Sequence, residues 1–144
     1  MLKIDKTLLN NIKEMFLNKD YEQGFLLGCS SCLEQLEHCY YVPTVCANRH
    51  FYKPDVCVAN EAIKQWSKQD ICFCGFIHSH VIEKYELSIN DVVFAKRLFS
   101  AYNLPMMWFG IGVCVGLEVK IHFYIIMRNS KGDIDILSIP HKEI

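Results

Sequence analysis

The sequence predicts a domain of mixed α/β (α+β) class, in which about three helices flank a central mixed β-sheet. Apolar runs of strand length alternate with stretches of helical periodicity, an order typical of layered α/β and α+β domains. Hydrophobic residues make up 51% of the 144 residues, which is enough apolar material for a real core. That length suits one ordinary domain, so we expect a single domain over residues 1–144.

Three segments have the features of helices. Over residues 5–18 the apolar side chains recur every three or four positions, and Asp5 is a suitable N-cap. Residues 56–67, opened by Pro54-Asp55, favour a second helix, and residues 89–102 favour a third.

Six apolar runs have the length and composition of strands. The continuous run 71–78 is typical of a central strand buried on both faces of a sheet. Gly116-Leu117-Glu118 supplies a turn between two of the later strands. The other strands are predicted over residues 23–29, 37–43, 105–116, 119–127 and 134–139.

Charge and hydropathy argue against several classes of protein. With 15 Lys and Arg against 16 Asp and Glu, the net charge is −1, whereas domains that bind nucleic acid through phosphates usually carry a basic excess. No apolar run approaches the roughly 18 residues of a membrane span, and the first residues lack the pattern of a secretory signal. We therefore expect a cytoplasmic protein with no nucleic-acid or membrane partner.

The 8 cysteines are expected to be reduced thiols, since disulfides are rare in the cytosol. Cys29 and Cys32 form a Cys-x-x-Cys motif, which occurs in redox centres and in halves of zinc sites. Cys39 and Cys46 could complete a set of four thiols, although their spacing fits no standard zinc pattern. The remaining four are expected to be small buried residues: Cys57, Cys72, Cys74 and Cys114.

The most informative segment carries two histidines at the end of the run 71–78. His78 and His80 are two residues apart, so in a strand their imidazoles lie on one face and can bind one ion. Asp91 could supply a third ligand, and three protein ligands leave a fourth position for water, as in catalytic zinc sites. Each half of the pattern also has an ordinary explanation. An isolated His-x-His pair is more often structural, and Ser88-x-x-Asp91 is a good helix cap.

The segment 78–91 reads His-Ser-His, seven residues, Ser, two residues, Asp, and it resembles the signature of the JAMM (JAB/MPN domain) metalloproteases. Glu22 precedes Gly-Phe-Leu-Leu-Gly at 24–28, which is similar to the family's upstream glutamate and its Gly-x-Leu-Leu-Gly-like strand. The resemblance spans roughly residues 1–127 and is of the compact prokaryotic JAB type. Val81 and Leu87 depart from the family, which often has proline at both places and thereby a stiffer loop.

The resemblance implies a cytidine-deaminase-like JAB/MPN fold and one catalytic Zn²⁺ bound by His78, His80 and Asp91. It assigns Glu22 the role of general base, which takes a proton from a zinc-activated water and passes it to the leaving amine. It gives Ser88 the role of hydrogen-bond donor to the tetrahedral oxyanion.

The resemblance also implies a substrate: the amide bond after the C-terminal tail of ubiquitin or a ubiquitin-like protein, isopeptide bonds included. Activating-enzyme-like and conjugating-enzyme-like proteins of the same pathway are then possible partners. Because such a tail is extended, we expect a strand next to the zinc to offer it a free edge. Two alternatives stay open: a non-catalytic MPN-type scaffold, and a zinc peptidase that trims a sulfur-carrier protein.

Overall fold

The computed structural model of the chain describes residues 1–17, 19–30, 32–46 and 52–144. No helix within these ranges is long and apolar enough to cross a membrane. The helices and strands, in chain order, are β1 (Leu2–Ile4), α1 (Lys6–Phe16), β2 (Gly24–Cys29), β3 (Gln35–Leu36), β4 (His38–Val42), α2 (Val56–Lys68), β5 (Cys72–His80), α3 (Ile89–Ala101), β6 (Met106–Val115), β7 (Glu118–Arg128), β8 (Ile134–Ile139) and β9 (His141–Glu143).

The strand β5 lies in the interior of a six-stranded mixed sheet with the order β4-β2-β5-β6-β7-β8. It pairs in parallel with β6, and every other pair in this sheet is antiparallel. Burial from Phe73 to His80 confirms the prediction of a central strand buried on both faces. A parallel pair needs a crossover connection, here α3, so the α3 N-terminus lies near the β5 end that carries His80.

The two faces of this sheet carry different helices. One face packs against α1, whose Phe16 lies in a buried cluster with Phe25 and Trp108. The opposite face packs against α2 and α3, where Trp66 and Phe99 belong to a second cluster. The alternation of side chains along each strand divides the core in this way.

The predicted helices and strands are confirmed, and their bounds differ from the expected ones by at most two residues. The predicted N-caps are present: the side chain of Asp5 accepts from the Leu8 N–H at 2.9 Å, and that of Asp55 accepts from the Val58 N–H at 3.2 Å. These contacts satisfy amide groups that would otherwise lack partners in the first turn of each helix. The mixed α+β class is thereby confirmed.

A second, three-stranded parallel sheet with the order β3-β1-β9 was not predicted. Its strands contain three, two and three residues, which is too short for a period of two to be recognised. Leu2, Ile4 and Leu36 are fully buried in the cluster around α1. The small sheet therefore extends the core on the α1 side.

The eight cysteines are free thiols, but the prediction of buried positions is correct only for Cys74. Cys57 and Cys72 are exposed, and Cys114 is half-buried. Cys57 lies in the first turn of α2 and Cys72 is the first residue of β5, so an apolar neighbourhood in sequence does not bury either. Cysteine is absent from the group of potential metal ligands found among the described residues.

Candidate metal centre

His78 and His80 lie on the same face at the C-terminal end of β5, as the strand period requires. His78 is in register with Gly24 of β2 and with Ile111 of β6, so the sheet fixes its backbone on both sides. The two ring centroids are 5.0 Å apart. Both side chains are buried, with exposed fractions of 1% for His78 and 8% for His80. The predicted convergence of the two imidazoles is present.

Asp91 reaches both imidazoles from the first turn of α3. Its Oδ1 lies 2.8 Å from Nε2 of His78, and its Oδ2 lies 2.9 Å from Nε2 of His80. The helix cap holds the carboxylate in this place, because Oδ2 also accepts from the Ser88 N–H at 2.9 Å. One aspartate therefore joins the start of α3 to the end of β5.

Glu22 lies just before β2 and completes the cluster from the neighbouring strand. Its Oε1 is 3.4 Å from Nδ1 of His78, and the side chain is buried. Glu22, His78 and His80 each offer a ligand atom within 4.8 Å of those of the other two. A buried group of this kind can hold a metal ion.

Ser79 ties the Glu22 segment to the histidines. Its Oγ accepts from the Gln23 N–H at 2.9 Å, and its own N–H donates to the Gln23 carbonyl at 2.8 Å. The residue between the two histidines thus fixes the residue after Glu22. Sequence reasoning assigned Ser79 no role, and the motif gives no signal for this contact.

The donor atoms fit a divalent metal ion. Nε2 of His78 lies 2.8 Å from Asp91 Oδ1 and Nε2 of His80 lies 2.9 Å from Asp91 Oδ2, so two imidazole nitrogens face the oxygens of one buried carboxylate. Nδ1 of His80 lies 2.6 Å from the Lys84 carbonyl, so both nitrogens of this ring face an acceptor. With the imidazole hydrogen on Nδ1, Nε2 would have a lone pair for an ion shared with Asp91. Ligands bound tetrahedrally to Zn²⁺ lie about 3.3 Å from one another, so the contacts of Asp91 with the two histidines, at 2.8 and 2.9 Å, would lengthen slightly around an ion.

The electrostatic surroundings favour positive charge at this point. Burial opposes protonation of His78, but the carboxylates of Asp91 and Glu22 together outweigh it and raise its pKa to about 9. Burial likewise opposes the charge of Asp91, yet its contacts with His78 and His80 hold its pKa well below the usual range. A cation bound between these groups would have the same stabilising neighbours.

Ser88 is the N-cap of α3, as its spacing to Asp91 predicts. The Asp91 N–H donates to Ser88 Oγ at 3.1 Å, and the two residues form a reciprocal capping box. This contact uses a lone pair of Oγ and not its hydrogen. The hydroxyl can therefore still donate, and its role toward an oxyanion stays a prediction.

Tyr52 is part of the centre, and sequence reasoning missed it. Its ring is stacked on that of His78, with centroids 5.9 Å apart and an angle of 24° between the planes. Its hydroxyl donates to the Val42 carbonyl at the end of β4. A Cβ on Gly24 would lie 2.8 Å from the Tyr52 ring, which explains the glycine. No local spacing links Tyr52 to the histidines, so the sequence carries no signal for it.

The expectation of a free edge on a strand next to the centre is wrong. The neighbours of β5 are β2 and β6, and each of them is paired on both sides. The edge strands of the six-stranded sheet, as far as it is described, are β4 and β8. Val42 of β4 is in register with Gly24, which is itself in register with His78. The edge at the level of His78 on that side therefore belongs to β4.

Comparison with family models and with curated proteins gives no match. The fold does match solved structures. One of them is the solution structure of protein DSY2949 from Desulfitobacterium hafniense, which aligns with a TM-score of 0.73 over 100% of this chain and 94% of that chain. The two sequences are 18% identical, so this similarity shows a shared fold alone.

Proposed function

We propose that the chain is a zinc-dependent peptidase or isopeptidase of the JAMM class with the cytidine-deaminase-like JAB/MPN fold. The observation that supports the proposal is the convergence of four side chains at one buried point: Glu22 from the segment before β2, His78 and His80 from β5, and Asp91 from α3. If Asp91 only capped a helix and the histidines were only structural, these four side chains would not need to lie together. The signature residues are therefore together in space as well as in sequence.

In this proposal Nε2 of His78, Nε2 of His80 and the Asp91 carboxylate hold the ion. Two imidazoles and one carboxylate are a ligand set that suits zinc in hydrolases. When bound, Zn²⁺ supplies a Lewis acid for a substrate carbonyl and lowers the pKa of a water toward neutrality. The sheet and the helices packed on it bury the side chains of His78, His80 and Asp91, and burial strengthens electrostatic contacts.

Glu22 is the proton carrier of the proposed reaction. Its carboxylate lies beside His78 and is buried, so it can take a proton from the attacking water and give it to the leaving amine. Ser88, at the exposed start of α3, is placed beside Asp91 and can donate its hydroxyl hydrogen toward a developing oxyanion.

The proposed substrate is the extended C-terminal tail of a ubiquitin-like protein, cut at the amide bond after it. The β4 strand supports an extended ligand, because it is an edge strand of the six-stranded sheet as far as that sheet is described, and its Val42 lies at the level of His78 through the Val42–Gly24 register. The Val42 carbonyl already accepts from Tyr52, so a tail bound there would pair with other backbone groups of β4. Partners of the activating-enzyme and conjugating-enzyme type would then belong to the same pathway.

The test is cleavage of a ubiquitin-like protein fused to a C-terminal reporter peptide, with Zn²⁺ supplied. Glu22→Gln should retain metal and lose about 10²–10⁴-fold in turnover, because general acid–base catalysis is removed while the shape is kept. Glu61→Gln is the control and should cleave like the wild type, because Glu61 is an exposed residue of α2 whose carboxylate accepts from Gln65. Undiminished turnover in Glu22→Gln would refute the general-base role.

A further inference from the structure

The loop between β5 and α3, next to the candidate metal centre, differs from the sequence of the family that the chain resembles. Val81 and Leu87 stand where proline often stiffens this loop, and nothing in their own backbone restricts φ in the same way. His80 opens the loop and Asp91 follows it, so its conformation affects two ligands. The structure shows what holds the loop instead.

Two carbonyl groups at the middle of the loop have partners outside it. Nδ1 of His80 lies 2.6 Å from the Lys84 carbonyl, and the next carbonyl, that of Tyr85, accepts from the Tyr124 hydroxyl at 2.9 Å. The side chains of Tyr85 and Leu87 also pack against the cluster under α2 and α3. The loop is therefore anchored at consecutive peptide groups, one to a ligand and one to the sheet.

Tyr124 is a rigid donor for this contact. It lies in the middle of β7, in register with Phe109 of β6 and Ser138 of β8, so strands on both sides fix its backbone. Burial, with the charges of Glu86 and Asp91 nearby, raises its pKa above the usual value, and the hydroxyl keeps its hydrogen.

We propose that Tyr124 is a positioning residue of the metal centre, which fixes the loop 81–88 and through it the imidazole of His80. The proposal rests on the metal site proposed above and adds that Tyr124, on β7, supports that site. By holding the Tyr85 carbonyl, Tyr124 places the preceding Lys84 carbonyl against Nδ1 of His80. When Nδ1 donates its hydrogen to that carbonyl, Nε2 is left as the ligand atom of the proposed site.

The experiment compares Tyr124→Phe with the wild type and with Tyr102→Phe as the matched control. Tyr124→Phe removes one hydroxyl and keeps the ring, and Tyr102 is also a half-buried tyrosine whose hydroxyl donates, but to Asn60. Zn²⁺ affinity is measured by chelator competition, and the geometry of the site by the visible spectrum of the Co²⁺-loaded protein. Hydrogen exchange of the amides in 81–88 is measured in the metal-free protein.

We expect Tyr124→Phe to weaken Zn²⁺ binding on the order of fivefold, the worth of one ordinary hydrogen bond. It should also change the Co²⁺ spectrum and accelerate exchange of the Lys84 and Ser88 amides by a similar factor, whereas Tyr102→Phe should do none of these. Unchanged affinity, spectrum and exchange in Tyr124→Phe would overturn the proposal. If the wild type binds no metal, the proposed function fails, but faster loop exchange would still support the tether and unchanged exchange would still refute it.

Discussion

The two histidines of the centre are two residues apart, yet they are held in different ways. His78 lies inside the sheet between paired strands, with Tyr52 stacked on its ring, Phe109 against its edge and two carboxylates beside it. His80 is the last residue of β5, and its Nδ1 depends on the Lys84 carbonyl of the following loop. One histidine is thus held by the core and the other by a loop.

The difference between the two histidines suggests that protein stability and metal binding depend on them in different proportions. A ligand fixed by the core is placed before the metal arrives, because its neighbours are packed strands and aromatic rings. A ligand held by a loop depends on contacts that open more easily than the sheet does. Stability should therefore depend mainly on His78, whereas both histidines should matter for metal binding.

The largest expected effect is on folding. His78→Ala should lower the free energy of unfolding of the metal-free protein by about 3–5 kcal/mol, because it leaves Asp91 and Glu22 buried without their shared partner. His80→Ala should lower it by about 1–3 kcal/mol, since it removes one contact to Asp91 and one to the Lys84 carbonyl. Chemical denaturation without metal measures both, and equal losses would contradict the comparison.

A smaller effect is expected from the ring stacked on His78. Tyr52→Leu should lower the free energy of unfolding by about 1–2 kcal/mol, because the aromatic contact is lost. The same variant should weaken Zn²⁺ binding by about three- to tenfold, since His78 loses part of its orientation. Tyr52→Phe keeps the ring and is the control, expected to lie closer to the wild type. A Tyr52→Leu protein with wild-type stability and affinity would show that the stacking does not support His78.

The smallest expected effect is a difference in local opening. In the metal-free protein, the amides of Lys84 and Ser88 should exchange faster than those of the buried part of β5, because the loop has fewer packed neighbours. Zn²⁺ should slow exchange in the loop by more than in the strand, since the ion joins His80 to Asp91. Hydrogen exchange with and without Zn²⁺ tests this, and equal protection of both segments would argue against a loop-held ligand.

Much of the fold was predictable because its signals are local. Apolar runs such as 71–78 and caps such as Asp5 and Asp55 indicate elements without knowledge of the tertiary structure. The strands β1, β3 and β9 were missed because two or three residues carry no period, and their pairing joins both ends of the described chain.

The residues of the candidate site also fall into those that a local sequence pattern reveals and those that only the fold brings together. His78, His80 and Asp91 lie within one short segment whose spacing follows from a strand, a loop and a helix cap. Tyr52 contacts the ring of His78, and Tyr124 contacts the loop that follows His80; both lie far from these histidines in sequence, and only the fold brings them near. The exposed Cys57 and Cys72 show the converse error, because an apolar neighbourhood in sequence does not decide burial at the first turn of a helix or the first residue of a strand.

The central claim is that His78, His80 and Asp91 bind one zinc ion, and the metal content of the purified protein tests it most directly. Protein prepared without chelators should contain about one zinc per chain. His80→Ala, the variant expected to keep its fold, should contain almost none, and Glu61→Gln should match the wild type. A folded wild-type protein without zinc that takes up none when zinc is added, or a His80→Ala protein with the full content, would contradict the claim.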